Sequence, residues 1–90
     1  MSRRQADLSG IRSLGEAYDR LARDLALPGH FGRNLDALWD ALSTDVAGPL
    51  LIVWRRGAAS RTAMGGDYDR LADLLRQLEA RRADVTLEID

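Results

Sequence analysis

Five consecutive apolar residues, Leu50-Leu51-Ile52-Val53-Trp54, sit between Gly48-Pro49 and Arg55-Arg56. A run of that length, closed by a breaker on one side and charge on the other, reads as a strand buried on both faces. Ile52 and Val53, both β-branched, favour the same reading. In a chain of 90 residues, two-sided burial puts this strand at the centre of a sheet. Every other segment has to be arranged around it.

Val85-Thr86-Leu87-Glu88-Ile89 alternates strictly, which predicts a strand with one wet face. Residues 3–8, RRQADL, have poor strand propensity and read as a weak strand or a frayed terminus. Ser13-Leu14-Gly15-Glu16 has the form of a capping box. Behind it Leu14, Tyr18, Leu21 and Leu25 fall on one face of an amphipathic helix, with Glu16–Arg20 and Asp19–Arg23 as i,i+4 pairs opposite. Pro28 and Gly29 stop that helix. A second helix is expected from the N-cap Asn34 to about Ser43 or Thr44. Arg55 to Gly66 reads as a loop with at most one irregular helical turn. Asp67 can then cap a helix that buries Tyr68, Leu71, Leu75 and Leu78 and carries Arg81 and Arg82 in its last turn.

Strands separated by helices favour a parallel sheet with right-handed crossovers. The expectation is a single α/β domain over residues 1–90: a small three-stranded parallel sheet, order 1-2-3, packed with three to four helices.

Composition removes several function classes. There is no cysteine, which excludes disulfides, thiolate metal sites and cysteine nucleophiles. The opening MSRRQADLSG has no apolar stretch of signal-peptide type, and no run approaches the roughly 18 residues of a membrane span, so a cytoplasmic location is expected. All 13 basic residues are arginine and the net charge is −1, so no overall attraction to nucleic acid is indicated. Any electrostatic message must come from local clustering.

The clustering is in Leu27–Val46, LPGHFGRNLDALWDALSTDV, which holds Asp36, Asp40 and Asp45 against Arg33. At helical spacing Leu35, Leu38, Trp39 and Leu42 form the stripe expected to be buried, and Asp36, Asp40 and Ser43 form a second arc, with Trp39 at the margin. Like charges at i,i+4 cost a helix about 0.2–0.5 kcal/mol. Arg33 can offset Asp36, whereas Asp40 has no basic residue one turn away. Asp40 and Asp45 also lie toward the helix C-terminus, where the dipole disfavours negative charge. Small violations that point the same way mark functional sites.

Other chemistries fit less well. A carboxylate pair for glycoside hydrolysis needs a pocket between its members, which a convex helix face does not offer. His30, Asp36 and Asp40 lack a metal-ligand spacing. The arginines at 55, 56, 61, 81 and 82 fall in two segments without interleaved aromatics. No catalytic residue, metal, cofactor or bound nucleic acid is expected.

The stretch from the Leu27-Pro28 loop through Gly32, Asn34-Leu35-Asp36-Ala37-Leu38-Trp39-Asp40 resembles the signature of the barstar-like family of intracellular ribonuclease inhibitors. The likeness extends over the preceding helix, Pro49, the strand ending in Trp54 and Ala83-Asp84-Val85-Thr86. It implies a plug: the loop and acidic helix enter a cationic ribonuclease cleft and carboxylates occupy phosphate positions. On that reading Asp40 is the central carboxylate, Asp36 its neighbour and Trp39 the adjacent ring. His30 stands where the family has a tyrosine, Phe31 is the second loop aromatic, and Gly32 and Asn34 complete the motif. His30, Asp45, Gln77 and Arg81 form the rim, where this chain departs from the family: Asp45 replaces a tryptophan, and Gln77 and Arg81 replace acids; Thr44 is a further candidate contact. The implied partner is a barnase-like or guanyl-specific microbial ribonuclease of extracellular type, bound by a protein that is a monomer when free. A barstar fold serving as adaptor for another basic protein is the alternative.

Overall fold

The computed structural model describes residues 3–90. Its central strand, β2 (Leu50–Trp54), pairs in parallel with β1 (Arg4–Asp7) on one side and β3 (Val85–Ile89) on the other, giving the order β1-β2-β3. RRQADL therefore does contain a strand; local propensity is overridden by pairing with a strand that needs two neighbours. In register, Ala6, Ile52 and Leu87 line up on one face, and Leu50, Trp54, Val85 and Ile89 join them there. Leu51 and Val53 point the other way and lie outside the main core cluster, flanked by Gln5 and Thr86 and by Asp7 and Glu88. Leu51 is buried and Val53 only half-buried. Two-sided burial thus holds for Leu51 and weakens at Val53.

Helix α1 (Leu14–Leu25) starts on Ser13, whose hydroxyl accepts from the Glu16 amide at 3.1 Å. The return arm differs from the expected box: Glu16 accepts from the amide of Arg12, at 3.4 Å. Ala17, Tyr18, Leu21 and Leu25 are buried. The expected pairs on the outer face are replaced by others. Asp19 meets Arg33, Arg23 meets its neighbour Asp24, and Arg20 donates to the carbonyls of Asp7 and Ser9. Tertiary partners outcompete i,i+4 pairs worth only tenths of a kcal/mol. The helix ends with Ala26 in the left-handed region at φ 54°, so termination comes two residues before Pro28.

The segment read as a loop contains helix α3 (Gly57–Met64). It is tied to the core by Met64 and by Ser60, wholly buried, whose hydroxyl accepts from the Trp54 indole N–H at 3.0 Å. A polar residue facing inward is invisible to hydrophobic periodicity, which explains the difference. Helix α4 (Gly66–Arg81) buries Tyr68, Leu71, Ala72, Leu75 and Leu78. Asp67 lies within its first turn and pairs with Arg70 at 2.8 Å, so it does not cap; Gly65 precedes the helix at φ 60°. Arg81 is in the last turn, while Arg82 has already left the helix. Among the described residues no helix is long and apolar enough to cross a membrane.

Candidate functional site

The acidic segment leads off with a loop held from beneath by α1. Buried Tyr18 meets the Phe31 ring edge-on, with centroids 5.7 Å apart, and the Arg33 guanidinium lies 5.7 Å from the Tyr18 ring. The Phe31 amide donates to Pro28 O at 2.9 Å and closes a turn that leaves His30 exposed. Arg33 sits at φ 50° and reaches back to Asp19 at 2.8 Å and to Gly15 O at 3.3 Å. It is therefore turned away from Asp36, and the offset expected between them is not made. A non-glycine residue in the left-handed region is strained, and such strain is often found at functional sites.

Helix α2 (Leu35–Asp40) is capped by Asn34, whose side-chain oxygen accepts from the Ala37 amide at 2.8 Å while its NH2 group donates to Gly32 O at 3.1 Å. Gly32 fits close against this cap, since a Cβ there would stand 3.3 Å from both Ala37 Cβ and Asn34 Nδ2. Gly32 and Asn34 thus shape the helix start. Leu38, Ala41 and Leu42 are buried, but Leu35 and Trp39 only partly, so the apolar stripe is narrower than its spacing predicts.

After Asp40 the helix widens into one π turn, Ala41–Asp45, closed by the Val46 amide on Ala41 O at 3.0 Å. It thus runs one or two residues past the expected end at Ser43 or Thr44. The Thr44 hydroxyl donates to Asp40 O at 2.6 Å and lies 3.2 Å from the Asp45 carboxylate. Single π turns occur frequently at functional sites.

Two hollows flank Asp40. One is a groove of about 580 Å³ between α2 and α4, lined by Leu35, Asp36, Trp39, Asp40, Arg70, Asp73, Leu74 and Gln77. The other, about 240 Å³, lies between loop and helix and includes His30, Phe31, Gly32, Asp40 and Asp45. Asp40 is the one residue that lines both. The geometry therefore brings His30, Phe31, Asp40 and Asp45 together on one side and Asp36, Trp39 and Gln77 on the other, with Thr44 turned toward the backbone. Sequence reasoning missed Arg70, Asp73 and Leu74 on α4, although Asp73 stands one turn before Gln77 on the same helix face.

Of the 14 acidic residues, most are engaged. Asp19, Asp24, Asp67, Asp73, Asp84, Glu88 and Asp90 have arginine partners. Asp7, Glu16 and Glu79 accept from backbone amides. Asp36, Asp40, Asp45 and, on α4, Asp69 take part in none of the ion pairs among the described residues, and all four are exposed; only the first three line the two hollows. Among those residues no group of three or more His, Asp or Glu side chains could hold a metal ion. The arrangement presents negative charge outward without neutralising it, beside apolar surface from Leu35, Trp39 and Leu74.

Two comparisons with known proteins bear on the family of the chain. A family model described as "Barstar (barnase inhibitor)" matches residues 1–90. Among curated proteins, the chain is similar to "Putative ribonuclease inhibitor YrdF" of Bacillus subtilis (strain 168), with 34% identity over 67 residues, 74% of each chain.

Proposed function

The chain belongs to the barstar family, and from that premise we propose that it is an inhibitor of a ribonuclease, not itself an enzyme. The proposed mode is a plug: Leu27–Val46 enters a cationic active-site cleft, and its carboxylates take positions that RNA phosphates would occupy. The observation that carries this reading is the clustering of three unpaired carboxylates, Asp36, Asp40 and Asp45, along the two hollows that meet at Asp40, on a surface where, among the described residues, Asp69 alone of the other acids has no partner. A cleft that holds phosphate offers arginine forks and lysines, which bind carboxylates strongly once water is excluded. Complementary fields also speed association.

Asp40, lining both hollows, is the central contact. Asp36, Trp39, Asp73 and Gln77 address one side of it, and His30, Phe31 and Asp45 the other. The partner we propose is a guanyl-specific, barnase-like microbial ribonuclease. The rim formed by His30, Asp45 and Gln77 would set which one, since rim residues govern partner choice more than core affinity.

The test is inhibition of a panel of such nucleases by the wild type and Asp40→Ala. The expected loss is at least about 2 kcal/mol of binding, roughly 30-fold. Unchanged inhibition by the variant would overturn the plug. Binding to a basic protein without loss of nuclease activity would favour the adaptor reading instead.

A further inference from the structure

We propose that Arg82 is a positioning residue for the plug, acting from outside it by clamping the carboxyl end of the acidic helix. The proposal rests on the reading of Leu27–Val46 as the binding segment.

A helix leaves its last carbonyls without partners, and a π turn is a poorer terminus than an α turn. Here that end is met from another part of the chain. Arg82 Nη1 donates to Leu42 O at 2.7 Å and to Val46 O at 2.9 Å, bracketing the π turn that follows Asp40. Its other nitrogens, Nε and Nη2, form a two-pronged contact with Asp84 at 2.9 and 2.8 Å. The Arg82 side chain is only 15% exposed. Asp84 is fixed in turn, because its carbonyl accepts from the Leu50 amide at 2.8 Å where β2 begins.

Gly48 completes the clamp by leaving room for it. A Cβ at that position would collide with the Asp84 carboxylate and lie 2.9 Å from Arg82 Nη2. The guanidinium thus joins the start of the sheet to the end of the plug. Its charge is held against Asp84, so it is largely withdrawn from the field of Asp40 and Asp45. The physical role is population: a plug end held in one arrangement binds with its intrinsic affinity, and a fraying end loses affinity in proportion to the competent fraction.

Arg82→Ala, Arg82→Lys and Gly48→Ala are compared with wild type by amide hydrogen exchange of the isolated protein, and by affinity for barnase at several salt concentrations. The expected result is faster exchange at residues 41–46 with protection kept in β2 and α4. Arg82→Ala should bind roughly tenfold more weakly at every salt concentration, opposite to the gain that baring the Asp84 carboxylate would give through the field alone. Lysine, which cannot grip Asp84 with two prongs while reaching both carbonyls, should restore only part of the loss. Glu79→Ala, which removes a bond to the Leu87 amide, is the control and should leave affinity unaltered.

Exchange at 41–46 no faster than wild type in Arg82→Ala overturns the clamp, and so does affinity equal to wild type where the wild type binds. If Arg82→Ala does not fold, Arg82→Lys and Gly48→Ala decide by the same two measurements. A wild type that binds no ribonuclease, barnase included, would instead count against the proposed function, and the exchange measurement would still decide for or against the clamp.

Discussion

At the carboxyl end of the sheet, Arg55 lies 2.8 Å from Glu88 and 3.6 Å from Asp90. On α2, Asp36 and Asp40 stand one turn apart with no arginine within ion-pair distance among the described residues. Both surfaces are exposed and both are built from the same residue types. On the first, charges cancel within a few ångströms; on the second they do not. Exposed pairs contribute little to stability, so the difference is mainly one of field. A net charge of −1 therefore conceals a directed negative surface. Arg33, the one arginine in the plug segment, would shrink that field if it met Asp36, and it is drawn off by Asp19, Gly15 and Tyr18 instead.

The largest expected contrast is in binding. Asp40→Ala should weaken ribonuclease binding at least 30-fold, about 2 kcal/mol, while Glu88→Ala should leave it unchanged. Titrating both variants against one nuclease checks this, and equal losses would erase the distinction between the two surfaces.

Next comes acid. Asp24 and Asp84 are held below their ordinary value of 3.8 chiefly by hydrogen bonds from Arg23 and Arg82, and Asp7 chiefly by hydrogen bonds from Ser9. Groups lowered on folding stabilise fully above that value, and their contribution is lost as the pH falls through and below it. Thermal melts should therefore be level near neutrality and drop below about pH 4. Replacing Asp84 by Asn should reduce the size of that drop.

A smaller effect is expected at the paired surface. Arg55→Ala should cost no more than about 1 kcal/mol of unfolding free energy in a denaturant titration. Smallest of all, Asp36→Asn should change stability by no more than about 0.5 kcal/mol, because the i,i+4 repulsion it removes is offset by the loss of a carboxylate from the first turn of α2. The same substitution should slow association with the nuclease at low salt more than at high salt, as stopped-flow mixing would show.

Much of this was readable in the chain itself, for identifiable reasons. Leu50–Trp54 and Val85–Ile89 declared themselves by run and alternation, and α1 and α4 by leucine spacing. Asp36 and Asp40 stood out as local rule-breakers, and the register of Asn34 to Asp40 tied them to a family pattern. What stayed hidden depends on long-range partners. The strand at Arg4–Asp7 was readable only as a weak one, since its pairing with β2 is what makes it, and the helix Gly57–Met64 was not readable, since its inward residue Ser60 is polar and meets the Trp54 ring. Arg33 looked like a neighbour for Asp36, but only the packing of α1 beneath the loop shows where its side chain goes. Local spacing set Asp73 one turn from Gln77 and put Arg82 at the end of the last helix, but what each does depends on what α2 and the turn after it bring beside them.

The place of Arg82 in the chain has a consequence for timing. A chain is synthesised from its N-terminus while a domain generally folds as a unit, and Leu27–Val46 emerges well before residues 82–84. Until α4 and the start of β3 have been made, Leu42 O and Val46 O must do without their partner. A nascent chain can carry every acidic residue of the plug and still be a poor inhibitor; on this view the surface is armed by residues translated after it.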